Sequence, residues 1–438
     1  MFKRKIEEVL NSYYKDPGSN IPIVEGARQV GKSFIVRATA KSFFPYYAEV
    51  DLKSDYEGEA LFSKVRTTKD FYLVLSSILG DSLHEFGDTI VFLDEIQFYP
   101  HLLTMLKDLK SERRYRFIAS GSLLGIALKQ AFIPMGSADR LKMFPMDFEE
   151  FCWANGVGSD VIDYLKACFH GLSPINDAIH ARMLSLFKDY LVSGGLPDAV
   201  TAYVLERNVA SVRKVQTQIM DYYRADCSKY DDEHRLKIRR IYDSLVSYMT
   251  NKVKRIQYRD IEDKDGARSS GYEDEFDYLL SSGVALGSQA IANPVFPLAL
   301  SSSKNLIKLY YNDVGLLTNL LYRNNVMAVL NQDAGVNLGS VYETAAMMEL
   351  SAHGHDAFYF DSKKAGEVDF MINDYESLSV LPVEIKSGKD QNNFRAIPKL
   401  VKEDGNYKLP LGYVFGNQNI LKRQDRLIIA PIYLLMFL

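Results

Sequence analysis

The chain has 438 residues, 47% of them hydrophobic, with a formal net charge of −4 and a pI near 6.0. That length and apolar content predict two to four domains with packed cores and exclude a disordered chain. The charge excludes a global positive field for nucleic acid, so any such contact must use local patches. Cys152, Cys168 and Cys227 are odd in number and lack CxxC spacing, which argues against a disulfide framework or a zinc site and for a reducing cytoplasm.

Met1 to Glu8 lacks the apolar core of a signal peptide and reads as an amphipathic helix. Ile21 to Val24 suits a buried strand and Phe34 to Ser42 a helix. Between them Gly26, Ala27, Arg28, Gln29, Val30, Gly31, Lys32 and Ser33 match the phosphate-loop pattern GxxxxGK[ST] at a strand-to-helix turn. Glycines there let backbone N–H groups wrap the phosphates of ATP, and the helix N-terminus adds partial positive charge. Lys32 is expected to reach the β and γ phosphates, and Ser33 to hold Mg²⁺. Thr89 to Glu95 is a strand run ending in two carboxylates, the Walker B pattern: Asp94 for the Mg²⁺ shell and Glu95 to polarise the attacking water. A further strand, Arg116 to Ser120, leads into Gly121-Ser122. Ser120 and Ser122 are both placed to contact the γ phosphate or that water.

From about Phe148 to Tyr230 the periodicity is helical, as expected of a lid. Residues of about 235 to 312 read as a winged helix, with helices near 236–250, 258–263 and 269–282 followed by short strands. Its third helix carries Glu273, Asp274, Glu275 and Asp277, a face that repels phosphates, while Arg235, Lys237, Arg239, Arg240, Lys252, Lys254 and Arg255 lie on the preceding helix and turn. Gly339 to Ala352 reads as a helix, followed by strand-like segments at 357–361, 367–372 and 380–386. With Glu343, Asp369, Glu384 and Lys386 at these stations, the arrangement resembles the PD-(D/E)xK nuclease core. Strand alternation puts Glu384 and Lys386 on one face. Asp369 and Glu384 would share Mg²⁺, Glu343 would complete the shell, and Lys386 would act on the water that attacks a phosphodiester. The same residues also fit structural carboxylates paired with Lys386 or Lys389. Leu427 to Leu438 is apolar but far shorter than the roughly 20 residues a bilayer span requires, and reads as a buried terminal strand.

GARQVGKS, FLDEIQ, ASGSLL and MFPMDFEEF resemble the prokaryotic AAA-type ATP-binding proteins that carry a C-terminal domain of unknown function. Tyr190 to Pro197, Lys308 to Leu317, Gly366 to Phe370 and Val383 to Lys386 resemble that family's later landmarks, so the resemblance covers essentially the whole chain. It implies that Phe132 to Arg140 corresponds to a Gly-Arg loop, here with glycine and arginine not adjacent. Arg140 would be an arginine finger in cis or in trans, or else a surface arginine paired with a carboxylate. Gly194-Gly195-Leu196-Pro197 resembles the Gly-x-Pro element through which related ATPases contact adenine, which would place Pro197 at the nucleotide; a helix-helix turn is the alternative. The expected fold class is α/β: a parallel-sheet P-loop ATPase at 1–150, a helical lid at 151–234, a winged helix at 235–312 and a nuclease-like domain at 313–438. The expected function is ATP binding and hydrolysis, with Mg²⁺ as cofactor, controlling a C-terminal nuclease-like effector on DNA or RNA. The alternative is an assembly or signalling switch whose C-terminal domain binds a partner, with a homo-oligomer or protein partner and no membrane.

Overall fold

The computed structural model describes residues 2–122, 134–227, 234–250, 261, 271–323, 325–331, 338–388 and 394–438. The chain divides into two compact units: residues 3–144 with 281–283, and residues 145–280 with 284–438.

The first unit runs α1 (Ile6–Lys15), β1 (Ile21–Glu25), α2 (Lys32–Phe43), β2 (Tyr46–Asp51), α3 (Leu52–Glu57), α4 (Thr68–Leu79), β3 (Thr89–Asp94), α5 (Pro100–Glu112), β4 (Arg116–Gly121) and β5 (Ala138–Lys142). The five strands form one sheet in the order β2-β3-β4-β1-β5, parallel throughout. Such a sheet is covered on both faces, so its central strands are continuous apolar runs instead of alternating ones; every residue of β1 and β3 is buried. A core including Ile23, Val91, Leu93, Phe71, Leu102, Leu106 and Phe117 joins the strands to the apolar stripes of α4 and α5. Helix α4 starts on a capping box in which Thr67 and Asp70 satisfy each other's backbone N–H groups. In this order β4 lies between β1 and β3, so the residues after all three strands converge at one sheet edge.

The second unit begins with helices α6 (Phe148–Ala154), α7 (Ser159–Gly171), α8 (Asp177–Ser193), α9 (Pro197–Glu206), α10 (Val209–Cys227), α11 (Arg235–Thr250) and α12 (Glu273–Ser281). It continues with β6 (Ala285–Ile291), β7 (Ser302–Tyr311), α13 (Val314–Tyr322), α14 (Val326–Leu330), α15 (Gly339–Ala352), β8 (Phe358–Ser362), β9 (Gly366–Asp374), β10 (Ser379–Ile385), α16 (Ile397–Val401), β11 (Gly412–Gly416), β12 (Lys422–Gln424) and β13 (Leu427–Pro431). Its sheet has the order β12-β13-β11-β10-β9-β8-β6-β7. The antiparallel run β8, β9, β10 is followed by a crossover through α16 to β11, which pairs parallel to β10. Val368, Met371, Val380, Val414 and Ile429 pack with Ile397 and Leu400 of α16 in its core.

Three sequence expectations change here. The strands assigned to the winged helix are not a separate wing, because β6 pairs in parallel with β8 and brings β7 into the large sheet. The helix expected near 258–263 lies outside the described residues apart from Ile261, as do Lys252, Lys254 and Arg255. On α12 the acidic face is not uniformly exposed: Glu275 is buried and accepts from His234 Nδ1 at 2.8 Å, with Lys237 Nζ 3.8 Å away. The terminal apolar run is strand only to Pro431, because proline offers no N–H to prolong the ladder. Ile432–Phe437 continues as a buried 3₁₀ turn.

Candidate functional site

The phosphate-loop residues sit between β1 and α2, with helix starting at Lys32, two residues before the sequence pattern placed it. A Cβ on Gly26 would lie 2.1 Å from the Met143 carbonyl oxygen, so only glycine allows the loop to pass this close to the chain leaving β5. Met143 N–H in turn donates to Glu25 O at 2.7 Å. Ala27 and Val30 are buried, anchoring the loop, while Arg28 is half-buried and Gln29 exposed. Lys32 Nζ donates to the carbonyls of Gly26 at 2.9 Å and Ala27 at 2.8 Å, so its ammonium is held over the concave side of its own loop.

Strand order brings Ser33, Asp94, Glu95, Ser120 and Ser122 together. Ser33 Oγ donates to Asp94 Oδ1 at 2.9 Å, and the Ser120 hydroxyl donates to the same oxygen. Burial pushes the Asp94 carboxyl up, and this outweighs the opposing hydrogen bonds from Ser120 and Ser33. The other oxygen, Oδ2, faces Arg37 Nη2 at 3.6 Å. Arg37, one turn after Ser33 on α2, also forks onto Glu49 of β2 through Nε and Nη2 at 2.6–2.9 Å. Glu95 adopts a left-handed backbone, φ 58°, an uncommon state for a side chain of this size. Its carboxylate accepts from Ser122 Oγ at 2.9 Å and from the Gln97 amide. A serine hydroxyl and a carboxylate in contact beside a loop of backbone N–H groups suit a hydrated divalent cation bound to phosphates, and the donor set fits Mg²⁺ with ATP.

Arg140 is separate from this group. It lies within β5, opposite Ile23 of β1, and its Nε and Nη2 contact Glu25 Oε2 at 2.8 and 2.6 Å, the paired-carboxylate alternative of the sequence reading. Pro197 is the first residue of α9, and its turn is used inside the second unit. Gly195 N–H donates to Asp313 Oδ2 at 2.6 Å, and Gly195 O accepts from Met146 N–H at 2.7 Å. Asp313 is fully buried at the start of α13, where burial pushes its carboxyl up to about 6 against the backbone N–H bonds from Gly195 and Leu316.

The sheet of the second unit gathers a further set. Asp369 Oδ2 accepts from Ile385 N–H at 2.8 Å, and Lys386 Nζ donates to Glu384 Oε1 at 2.8 Å. Burial, then the Asp369 charge, pushes the Glu384 carboxyl up to about 8, with Lys386 opposing and Glu343 adding to the rise. Glu384 Oε2 is buried with no hydrogen-bond partner among the described residues. Lys308 of β7, given no site role in the sequence reading, is buried, pairs with Glu367 and lies 4.3 Å from the Tyr359 ring centroid. Burial alone would lower its ammonium, but Glu367 and Glu343 hold it net upward. Among the described residues Glu343, Asp369 and Glu384 do not bring one oxygen each within 4.8 Å as a trio. Gln97 and Lys308 lie within segments that carry the family resemblance and Arg37 does not, but the sequence reading gives none of the three a role; the contacts of Arg37 with Asp94 and of Lys308 with Glu367 follow from strand order.

Among the described residues no helix is long and apolar enough to cross a membrane. Residues 18–152 match a family described as an AAA domain. Residues 184–326 and 338–435 match two domains of unknown function, DUF8612 and DUF4143. No curated protein matches the chain. Among solved structures it is similar to the Walker-type ATPase PABY2304 of Pyrococcus abyssi, at 14% identity and TM-score 0.43 over 73% of this chain and 96% of that one. It is also similar to the Aeropyrum pernix Orc1 protein in complex with DNA, at 13% identity and TM-score 0.31 over 76% and 93%. A third is the Thermotoga maritima RuvB Holliday junction branch migration motor, at 13% identity and TM-score 0.29 over 65% and 89%. The match over residues 18–152, together with the phosphate loop and parallel sheet that those residues build, makes the first unit an AAA-type P-loop ATPase domain.

Proposed function

We propose that the chain binds and hydrolyses ATP at the edge of the five-stranded sheet and uses its nucleotide state to set the binding state of a nuclease-like C-terminal domain. The observation that carries the first part is the Ser33–Asp94 contact at 2.9 Å, which joins the end of the phosphate loop to the end of β3. With ATP bound, Mg²⁺ would supply charge neutralisation at the β and γ phosphates. Lys32 turns from its loop carbonyls to the phosphates. Glu95, oriented by Ser122 and Gln97, accepts a proton from the attacking water. Lys32→Ala is expected to lose nucleotide affinity, because it removes the ammonium held at the Gly26 and Ala27 carbonyls of the loop. Glu95→Gln is expected to keep binding while hydrolysis falls by about 100-fold or more. Wild-type turnover in both variants would sink this reading.

For the C-terminal domain, the order of α15, β8, β9, β10, α16 and β11 supports the nuclease-like fold. The ammonium groups of Lys308 and Lys386 already lie among its carboxylates, and this favours a partner-binding module driven as a switch. One observation favours metal-dependent phosphodiester cleavage instead: the buried, unpartnered Glu384 Oε2, whose repulsion by Asp369 a divalent cation would relieve. Assays of DNA and RNA cleavage with Mg²⁺, with and without ATP, separate the two. Under the switch reading no form is cut. Cleavage abolished by Asp369→Ala and slowed by Lys386→Ala would establish the nuclease.

A further inference from the structure

A third group of titratable side chains lies apart from both sites, within the second unit. Asp147 is the residue that caps α6, and Glu349 and His353 lie one turn apart at the end of α15, so both project from the same face of that helix. One donor atom from each lies within 4.8 Å of the other two, and Asp147 and Glu349 are buried. Each carboxylate has one oxygen fixed by backbone. Asp147 Oδ1 accepts from Glu150 N–H at 2.9 Å, and Glu349 Oε2 accepts from Phe148 N–H at 3.0 Å. The remaining oxygens, Asp147 Oδ2 and Glu349 Oε1, face His353 Nε2 at 3.6 and 3.7 Å.

Those separations are longer than a direct hydrogen bond. An imidazolium N–H given to one of these oxygens would bring it to about 2.7–2.9 Å, closer than either is here. Two ligands of one tetrahedral ion, each bonded at roughly 2.0–2.2 Å, stand about 3.4 Å apart, which is close to the observed spacing. The backbone N–H bonds to the far oxygens are the outer-shell contacts that orient carboxylate ligands. We infer that Asp147, Glu349 and His353 form a structural site for a divalent cation of the zinc class, with imidazole and carboxylate donors that also admit Mn²⁺ or Co²⁺. The site would clamp the start of α6 to the end of α15, the helix that also carries Glu343. No cysteine takes part, which is why cysteine spacing gave no sign of it.

The test uses the full chain carrying Lys32→Ala, so that nucleotide-bound metal does not interfere, and titrates it calorimetrically with Zn²⁺, Mn²⁺ and Co²⁺. One equivalent of Zn²⁺ is expected to bind, a chelator is expected to lower the melting temperature, and Co²⁺ is expected to give visible absorption of a low-symmetry site. Asp147→Asn keeps a good cap for α6 and His353→Gln keeps the side chain polar; each is expected to weaken Zn²⁺ affinity by about 100-fold. If folded protein binds none of the three ions, and neither chelator nor metal moves its melting temperature, the site is overturned and the three side chains are a buried imidazole-carboxylate cluster. Binding that survives both substitutions would equally overturn the assignment.

Discussion

Glu95 and Gly194 show how single backbone positions set the geometry around them. The left-handed turn at Glu95 reverses the chain as β3 ends, which lets its carboxylate meet Ser122 after β4 in place of following Asp94 outward. Gly194 also has a positive φ, 69°, and a Cβ there would lie 2.0 Å from Asp313 Oδ1. A methyl group cannot be accommodated without displacing that carboxylate from the N–H groups it serves. Gly194→Ala is therefore expected to lower unfolding free energy by about 3 kcal/mol, read as a reduced urea midpoint at unchanged slope. A loss under about 0.5 kcal/mol, the ordinary range for a surface substitution, would mean that the turn relaxes freely.

At the scale of elements, the packing of α8, α10 and α13 depends on polar groups with few substitutes. Arg213 of α10 donates through Nη1 to Val192 O at 3.2 Å, Gln216 Oε1 at 2.8 Å and Thr318 Oγ1 at 3.1 Å, and Gln216 Nε2 reaches Ser193 O at 2.9 Å. These bonds satisfy the last carbonyls of α8, which would otherwise be buried and unmet. Asp313 does the same for the start of α13. Its carboxyl rises from 3.8 to about 6 on folding, so the folded chain binds this proton more tightly than the unfolded chain. Its contribution is fully present below about 3.8 and is lost as pH rises through about 6, a change on the order of 3 kcal/mol. Asp313→Asn removes that titration. Between about pH 4 and pH 7 the stability difference is expected to move in favour of the variant by most of that amount. A difference that stays constant with pH would show that the backbone N–H groups keep Asp313 ionised throughout.

For the whole molecule, the net charge of −4 and the mixed surface of α11 and α12 bear on nucleic acid. Arg235, Arg239 and Arg240 are exposed on α11, and Glu273, Asp274 and Asp277 are exposed on α12. Arg224 and Arg239 already pair with Asp243. Such a surface offers few uncompensated cations to displace counterions. Replacing Lys252, Lys254 and Arg255 by alanine is expected to leave duplex DNA affinity at physiological salt unchanged within about twofold. A several-fold loss with a shallower salt dependence would place those side chains on phosphates.

The sequence by itself located the phosphate loop of the first unit, the helix after it and three of its five strands, β1, β3 and β4. A phosphate loop needs consecutive residues to wrap one anion, so its parts are contiguous, and the apolar runs of β1, β3 and β4 are long enough to read as buried strands. It also located the helix and strands that carry Glu343, Asp369, Glu384 and Lys386. What it left open are contacts between residues far apart in the chain. Arg140 looks the same in sequence whether it reaches a phosphate or Glu25, and β6 and β7 read as short strands whether they close a small wing or extend a large sheet. Lys308 among the carboxylates, Asp313 beneath the Gly194-Gly195 turn, and Asp147 beside Glu349 and His353 are set by packing and strand order alone. Local spacing does not encode these meetings, because hydrogen bonds that fix them, Lys308 to Glu367, Gly195 to Asp313 and Phe148 to Glu349, join residues 59, 118 and 201 apart, which meet only when the sheet and the helices around it have assembled.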